Sequence, residues 1–391
     1  MQSPDAHPGA GRRTSIGGPV GAGMTRVALV HDFFVAEGGA EQVALELARL
    51  LPTADVHTSF FDVRRYGDRL DPARVRTWPL QRFLGPTQRF RSLLPLYPAW
   101  FGRLDLRAYD LVVSSSIAFT HAARTRPDAL HVSYVYTPMR YAWNLDAYLE
   151  RSSWSLPARV GARTVRPALR RWDRGTASRP NVVVAISATV QERIRHCWGR
   201  ESEVLYPPVE VGAIDPSGRD DGYYLVAARM LAYRRLDDAV EACTQLRREL
   251  VVVGEGPERA RLQALAGPTV RFLGRVDRLA LLDLFARCHA YLVPGEEDFG
   301  IAPVEAMAAG KPVVGLRAGG VAETVIDGVT GVLYESPGGP AMAAAIERLD
   351  TLTLDPAVIR RRAEEFDVAV FRARWRDLLA RRGVDPSLYS P

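Results

Sequence analysis

The stretch VPGEEDFGIAPVEAMAAGKPVVGLRAGGVAETVIDGVTGVLY, residues 293–334, holds the pattern from which the fold can be predicted. It predicts a loop and then a short helix, with Pro303 at the first helical position and Gly310 as a left-handed cap. Such a helix is about 10 Å long. Glu305 then lies near its N-terminal end and Glu297 in the loop before it.

The same stretch also predicts an anion site. Phe299, Gly300 and Ile301 present backbone N–H groups that have no partner within the helix, and the helix dipole adds to their effect. Two carboxylates beside an anion site are typical of proteins whose ligand carries both hydroxyl groups and phosphate. A nucleotide-sugar is such a ligand.

Length and composition favour an ordinary globular protein of two domains. The chain has 391 residues, long enough for two cores, and its 47% hydrophobic and 25% charged residues argue against disordered and fibrous proteins. The net charge of +6 is modest and no nucleic-acid-binding motif accompanies it, so we expect no nucleic-acid partner. Three widely spaced cysteines and scattered histidines favour neither disulfides nor a metal site, and they fit the cytoplasm.

Strands alternate with helices along the chain, which predicts an α/β fold with two parallel-sheet, Rossmann-like domains facing across a cleft. Residues 205–209 contain two prolines, cannot be helical, and mark the domain boundary. Met24 is a candidate translation start beside Met1. We expect four segments: a disordered extension at 1–23, an N-terminal acceptor domain at 24–207, a C-terminal donor domain at 208–365, and a helix at 366–391 that crosses back to the N-terminal domain.

In the N-terminal domain, a strand at 27–30 leads through Gly38-Gly39 into a helix, as a Rossmann-type unit begins. Phosphate can bind at such a helix N-terminus, but a tight turn without a ligand is an equal alternative. A later strand ends in YVYTPMRYAWN, so Tyr136 and Arg140 are expected to face the cleft.

Two basic regions of this domain leave two interpretations open. Residues 64–109 carry arginines and aromatic residues, and residues 151–180 form an arginine-rich helical region. Such segments are typical of proteins that lie on anionic membranes. They are also typical of helices that pack on a domain with their arginines in water, which is the interpretation we favour because no clean amphipathic repeat runs through 64–109.

The C-terminal domain places Arg229 and Arg234 at a strand-to-helix turn. Two guanidinium groups there can clamp a diphosphate in forked hydrogen bonds. A surface ion pair from Arg234 to Asp237 or Asp238 is an equal alternative.

Taken in order, these motifs resemble those of retaining glycosyltransferases of family 4, which have the two-Rossmann GT-B fold. The resemblance covers residues 24 to about 379. TPMRYAW further resembles a bacterial polysaccharide or lipid-linked-glycan subgroup that often uses GDP-mannose. The matching motifs are GGAE at 38–41, TPMRYAW at 137–143, YPPV at 206–209, ARMLAYRR at 228–235, VGEGPE at 253–258, RFLGRV at 271–276, and E-x7-E from Glu297 to Glu305.

The resemblance implies roles for the matched residues. Glu305 would bind the ribose hydroxyls of the donor, and Glu297 would hold hydroxyls of the transferred sugar. The other implied binding groups are the amides of Phe299, Gly300 and Ile301 for the sugar and diphosphate, Arg229 and Arg234 for the diphosphate, Gly39 for close approach of the first domain, and the Phe272-Leu273 backbone for the base.

Three positions depart from the family pattern. Tyr136 stands where many relatives have a histidine near the reacting sugar, Arg234 where they have lysine, and Asn144 where they often have aspartate. His121 is a candidate to replace the missing histidine, and an unrelated surface histidine is the alternative.

The resemblance implies a cytoplasmic transferase at the inner membrane face, with a nucleotide-sugar as donor and a lipid-linked or polysaccharide acceptor. It also implies that no metal or other cofactor is needed. Two alternatives stay open: a UDP-sugar-dependent transferase with a soluble acceptor, and a nucleotide-sugar-binding protein with little turnover because of Tyr136.

Overall fold

The computed structural model describes residues 26–84, 93–146, 155–216 and 218–390. The predicted disordered extension at 1–23 lies outside these ranges, as do Arg89, Phe90 and Trp154 of the two basic regions. Two parallel β-sheets, one in each half of the chain, form the framework of the described structure.

The N-terminal sheet has seven parallel strands in the order β3-β2-β1-β4-β5-β6-β7. Its central strands are rich in valine and buried on both faces, as parallel sheets covered by helices require. The strands are β1 (Val27–His31), β2 (Asp55–Thr58), β3 (Val75–Thr77), β4 (Leu111–Ser116), β5 (Leu130–Val135), β6 (Val182–Ala185) and β7 (Glu203–Val204).

Seven α-helices accompany this sheet in the described part of the half. The 21-residue α6 begins with a proline in its first turn, where no N–H is needed. The helices are α1 (Gly39–Leu50), α2 (Val63–Tyr66), α3 (Gln81–Leu84), α4 (Tyr97–Phe101), α5 (Arg140–Trp143), α6 (Leu156–Thr176) and α7 (Ala188–Trp198).

The C-terminal sheet has six parallel strands in the order β10-β9-β8-β11-β12-β13. The strands are β8 (Tyr224–Ala227), β9 (Leu250–Val253), β10 (Val270–Gly274), β11 (Ala290–Val293), β12 (Val313–Leu316) and β13 (Gly331–Tyr334). The helices are α8 (Leu236–Gln245), α9 (Arg259–Leu265), α10 (Arg278–Arg287), α11 (Ile301–Ala308), α12 (Val321–Thr324), α13 (Gly339–Asp350), α14 (Pro356–Glu364) and α15 (Val368–Arg381).

The last helix, α15, crosses back to the N-terminal domain, as predicted from its apolar face. The rings of Phe371 and Trp375 pack against Tyr134 of β5, and Arg372 donates to the Glu46 carboxylate of α1 at 2.6 Å. A backbone bridge between Val209 and the residue before α15 ties the linker to the same helix. This packing confirms the predicted fold class, and the exact domain bounds stay a prediction.

The described parts of the basic segment, residues 64–84 and 93–109, contain more regular structure than the sequence indicates. Two short strands, β2 just before it and β3 within it, were not predicted because they have only four and three residues. Tyr97 and Phe101, which were candidates for a membrane-facing surface, are fully buried, while Phe83 is 84% exposed. The aromatic residues of α4 therefore serve mainly as core, closer to the interpretation of packed helices.

Candidate active site

Glu297 and Arg234 form an ion pair at the carboxyl end of the C-terminal sheet. Strand β11 leads into the loop that carries Glu297, and β8 leads into the turn that carries Arg234. Each side chain is about one-fifth exposed, at 21% and 20%. The structure pairs Arg234 with Glu297 in place of the alternative partners Asp237 and Asp238, which pair with Arg261 and Arg235.

Glu305 lies within α11 and pairs with Arg278, the first residue of α10, at 2.6 Å. Burial raises the pKa of the Glu305 carboxyl, and the Arg278 guanidinium opposes that shift. The sequence did not indicate Arg278, because the partner of a buried glutamate on another helix leaves no local pattern. Glu297 and Glu305 thus each have one arginine partner.

Helix α11 begins two residues earlier than predicted. Gly300 takes a left-handed conformation as its N-cap (φ 88°), so Ile301 is the first helical residue and Pro303 the third. Gly310 is left-handed (φ 76°) after the helix, as predicted. Within the described ranges, the amides of Phe299, Gly300 and Ile301 donate to no acceptor, so they remain available to a ligand.

The Gly38-Gly39 dipeptide provides space rather than an unusual turn. Gly38 has ordinary extended angles (φ −161°), and a Cβ there would lie 2.7 Å from a carboxylate oxygen of Glu41. A Cβ on Gly39 would lie 2.7 Å from the Cδ1 atom of Ile301 in the other domain. The glycine pair therefore lets the N-terminus of α1 approach α11 across the cleft.

The positive charge of Arg229, in the C-terminal domain, acts on the Glu41 carboxylate of the N-terminal domain. Burial raises the pKa of Glu41 to about 7, opposed by its own backbone N–H and by the positive charge of Arg229. Arg229 is exposed, and its guanidinium has no ion pair or hydrogen bond among the residues that the structure describes. It is therefore a cation at the cleft that a bound anion can use.

The two other glycines of the VGEGPE motif allow a second close approach. A Cβ on Gly254 or Gly256 would overlap the backbone of Ala228 or Met230, on either side of Arg229. The motif therefore serves the packing of this loop against the arginine-bearing turn.

Tyr136 is buried rather than directed into the cleft. Its hydroxyl donates to the carbonyl of Ala40 at 2.9 Å and shares a hydrogen bond with Ser115 Oγ at 2.8 Å. Burial raises the pKa of the phenol well above its usual value. The Tyr136 hydroxyl thus holds the first turn of α1 by a hydrogen bond. Its catalytic role stays a prediction.

His121 is not a surface histidine, because it is fully buried. Its ring lies within hydrogen-bond distance of Ser116 and Thr176, and 3.5 Å from Asp173. Desolvation lowers its pKa to about 3. Asn144 directly follows α5 and is exposed.

Tyr233 is a cleft residue that the sequence did not single out. The centre of its ring lies 5.4 Å from the guanidinium carbon of Arg140, in the N-terminal domain, and 5.3 Å from that of Arg234, in its own domain. Burial opposes ionisation of the phenol, but Arg234, Arg140 and Arg229 together lower its pKa. The positive charges of these arginines therefore outweigh the effect of burial at the Tyr233 phenol.

The predicted base site lies at the end of β10. Phe272 is partly buried and Leu273 is 45% exposed, next to Gly274 and its left-handed turn. Among the described residues, no group of three or more His, Cys, Asp or Glu side chains could hold a metal ion. Nor is any helix in those ranges long and apolar enough to cross a membrane.

Comparison with known proteins follows the division into two domains. Residues 37–212 match the sequence model described as Glycosyltransferase Family 4, and residues 214–366 match the model described as Glycosyl transferases group 1.

Relatives match over part of their length. The chain is 30% identical to a GDP-mannose-dependent alpha-mannosyltransferase of Mycolicibacterium smegmatis over 198 residues, which are 46% of this chain and 51% of that protein. It is 35% identical to a glycogen synthase of Mycobacterium tuberculosis over 151 residues, 36% of each chain. The chain therefore spans about half or less of the length of these relatives.

Solved structures are similar in fold. The Anabaena protein HepE in complex with UDP gives a TM-score of 0.66 at 19% identity, covering 91% of this chain and 100% of that one. Sucrose-phosphate synthase from Thermosynechococcus elongatus gives 0.63 at 18% identity, covering 91% and 98%. Both likenesses support the predicted GT-B fold.

Proposed function

The chain belongs to glycosyltransferase family 4, and on that premise we propose that it is a retaining, metal-independent glycosyltransferase. It takes a sugar from a nucleotide-sugar, with GDP-mannose as the first candidate, and transfers it to a lipid-linked or polysaccharide acceptor. The proposed location of the protein is the cytoplasm, where it contacts the inner face of the membrane.

One observation carries the proposal: two glutamates, each paired with an arginine, belong to the same cleft as donors that no described protein group uses. Glu297 and Glu305 are held by Arg234 and Arg278, while Arg229 and the amides at the start of α11 are free to bind an anion. Carboxylates accept hydrogen bonds from hydroxyl groups, and arginines with helix N-termini bind phosphate. A donor with sugar, diphosphate and ribose uses all of these groups.

The same groups account for catalysis. As the bond from the sugar C1 to the diphosphate oxygen breaks, negative charge grows on the departing diphosphate and positive charge grows on the sugar ring. Arg229, Arg234 and the amides stabilise the diphosphate, and loss of one such fixed donor typically costs on the order of 10²–10³ in rate. The departing phosphate takes the acceptor's proton, so the mechanism needs no protein nucleophile.

Metal independence is tested by assaying transfer in excess EDTA. We expect full activity, because two arginines and a helix N-terminus can supply the positive charge that a divalent ion supplies elsewhere. Loss of turnover in EDTA, restored by added divalent cation, would contradict this mechanism.

The donor base is tested by thermal-shift measurements with GDP, UDP, ADP and their sugars. A ligand at about 100 times its dissociation constant adds about 2.7 kcal/mol to the free energy of unfolding. The mannosyltransferase relative is described as GDP-mannose-dependent, whereas HepE is described with UDP. Stabilisation by UDP alone would therefore favour the second candidate, a UDP-sugar-dependent transferase.

The acceptor is tested separately, by flotation with anionic vesicles. Co-flotation supports the lipid-linked acceptor, while a chain that stays in solution favours a soluble acceptor.

A binding protein with little turnover is the candidate from another functional class. It is favoured by Tyr136, which is buried and whose hydroxyl is engaged by Ala40 and Ser115. A donor-hydrolysis assay decides: binding without release of nucleoside diphosphate, together with release by Tyr136→His, would favour it.

A further inference from the structure

Three consecutive acids, Glu296, Glu297 and Asp298, pair with arginines from alternating domains. Glu297 pairs with Arg234 of its own domain. Its two neighbours pair across the cleft with Arg193, and Asp298 also pairs with Arg140. The loop is extended here, as the bridge of Glu297 to residue 319 shows, so alternate side chains point in opposite directions.

The C-terminal domain fixes the backbone of this loop from one side. The Gly320 N–H donates to the Glu297 carbonyl at 2.8 Å. A Cβ on Gly319 would overlap the Glu297 carbonyl, and one on Gly320 would overlap the Phe299 backbone. Because Gly319 and Gly320 have no side chains, their loop can contact the backbone of the acidic loop directly.

The N-terminal domain holds the loop from the other side. Arg193, in the middle of α7, binds both outer acids and lies 3.3 Å from Thr137 Oγ1. Ser187, the N-cap of α7, donates to the Asp298 carbonyl at 2.6 Å. Burial opposes ionisation of Asp298, but Arg140 and Arg193 lower its pKa, so it carries its charge in this contact.

A second contact fixes the orientation of α7 against the C-terminal domain. The Glu323 carboxylate accepts hydrogen bonds from the backbone N–H groups of Ala188 and Thr189, both at 2.8 Å, and from the Tyr206 hydroxyl at 3.2 Å. A C-terminal-domain acid thus caps an N-terminal-domain helix, which aims Arg193 at the acidic loop.

We infer that Arg140 and Arg193 are positioning residues for transfer: from the N-terminal domain they hold Glu296 and Asp298, and thereby fix Glu297 when the cleft is closed. The inference rests on the proposed function, because the role of Glu297 in holding the sugar is part of that proposal. Arg193 contributes more than Arg140, because its guanidinium joins two acids.

The test compares Arg193→Gln with Arg195→Gln on the same helix. Arg195 pairs with the exposed Glu192 and with no other acid among the described residues. Misplacing a reacting group by about 1 Å can cost on the order of 100-fold in rate, so we expect kcat of Arg193→Gln to fall about 10- to 100-fold. The dissociation constant for nucleoside diphosphate, measured by calorimetry, should change less than about twofold, because its proposed ligands lie in the other domain.

A kcat equal to that of Arg195→Gln would overturn the inference. Weaker binding of nucleoside diphosphate with an unchanged kcat would also overturn it, since that result assigns Arg193 to donor binding.

A double-mutant cycle separates this contact from a general effect of the substitution. If Arg193 acts through Asp298, the double variant Arg193→Gln/Asp298→Asn should lose no more kcat than the more impaired single variant. Additive losses would show that the two residues act independently, against the inference.

A structural readout keeps the inference testable if the chain transfers no sugar. The three native cysteines are buried, so spin labels can be attached at Ser178→Cys and Ser336→Cys, two exposed positions on different domains. We expect a longer and broader distance distribution in Arg193→Gln than in Arg195→Gln. If the wild-type chain shows no turnover, the proposed function is refuted. If the distance distributions of the two variants are equal, the inference that Arg193 holds the acidic loop is refuted.

Discussion

At the scale of single residues, buried polar groups determine how the N-terminal domain presents its first helix. Ser115 Oγ joins His31 Nδ1, at 3.0 Å, to the Tyr136 hydroxyl, which in turn donates to the Ala40 carbonyl. This chain of hydrogen bonds links strand β4 to the start of α1. Loss of one of these bonds leaves a buried polar group without a partner, which costs about 1–3 kcal/mol.

Tyr136→Phe tests that link. The variant leaves the Ala40 carbonyl and Ser115 with one partner fewer, and we expect the free energy of unfolding to fall by about 1–3 kcal/mol in urea titrations. The matched control is Tyr389→Phe, whose hydroxyl has no hydrogen bond among the described residues, and its stability should stay within about 0.5 kcal/mol of wild type. Equal stability of both variants would show that the hydroxyl does not hold α1.

Glu41→Gln tests the buried charge at the cleft. Burial raises the Glu41 pKa from 4.5 to about 7, so between these values the folded chain keeps a proton that the unfolded chain releases. The free energy of unfolding of the wild type therefore falls as the pH rises through this window.

The variant cannot titrate there, so relative to wild type it should gain up to about 3 kcal/mol of stability between pH 4.5 and pH 8. Denaturant midpoints at the two pH values measure this gain. Glu37→Gln, an exposed position just before α1, is the control. A stability difference that does not change with pH would contradict the burial of an ionisable Glu41.

At the scale of elements, the sequence predicted the kinds of element near the cleft well and their contacts poorly. The strand predicted at 27–30 is observed as Val27–His31, because a short apolar run beside turn residues is a strong local signal. Gly39 was expected to allow a close approach, but its neighbour Ile301 lies 262 positions away in the chain (301 minus 39). No local pattern records such a pairing.

Gly39→Ala tests the approach of α1 to α11. The new Cβ would lie 2.7 Å from the Ile301 Cδ1 atom, which must then leave its rotamer when the cleft closes. An off-rotamer side chain costs about 0.5–1.5 kcal/mol, so we expect transfer activity to fall about 3- to 10-fold. Adding Ile301→Val removes the clashing methyl group and should restore most of the activity.

The control is Gly161→Ala on α6, where a Cβ has no heavy atom within 4 Å. Equal activities of Gly39→Ala and Gly161→Ala would show that the cleft does not close as tightly as the structure indicates. Failure of Ile301→Val to restore activity would place the effect of Gly39→Ala elsewhere.

At the scale of the whole molecule, the two domains and the crossing helix were predictable because each follows from periodicity along the chain. The residues that connect separate elements through their side chains were mostly not predictable. Arg278, Tyr233 and Arg193 act through partners on other elements, and arginine is so common here, with Lys311 the only lysine among 51 basic residues, that no single arginine stands out. Their roles become visible only when the fold brings their partners together.

The crossing helix is tested by Trp375→Ala. Trp375 is fully buried between α15 and the N-terminal sheet, so its removal should cost about 3–5 kcal/mol. All seven tryptophans lie outside 208–365, which means that tryptophan fluorescence follows the N-terminal domain and α15 while circular dichroism follows both domains.

In the wild type we expect the two signals to change together in urea, because α15 and the cross-cleft ion pairs join the domains. In Trp375→Ala the fluorescence midpoint should fall below that of circular dichroism, since the N-terminal domain alone loses the packing of α15. Phe83→Ala, at an aromatic residue that is 84% exposed, should change the free energy of unfolding followed by either signal by no more than about 0.5 kcal/mol. If Trp375→Ala lowered both midpoints equally, the domains would unfold as one unit even without this contact, and the ion pairs across the cleft would suffice to join them.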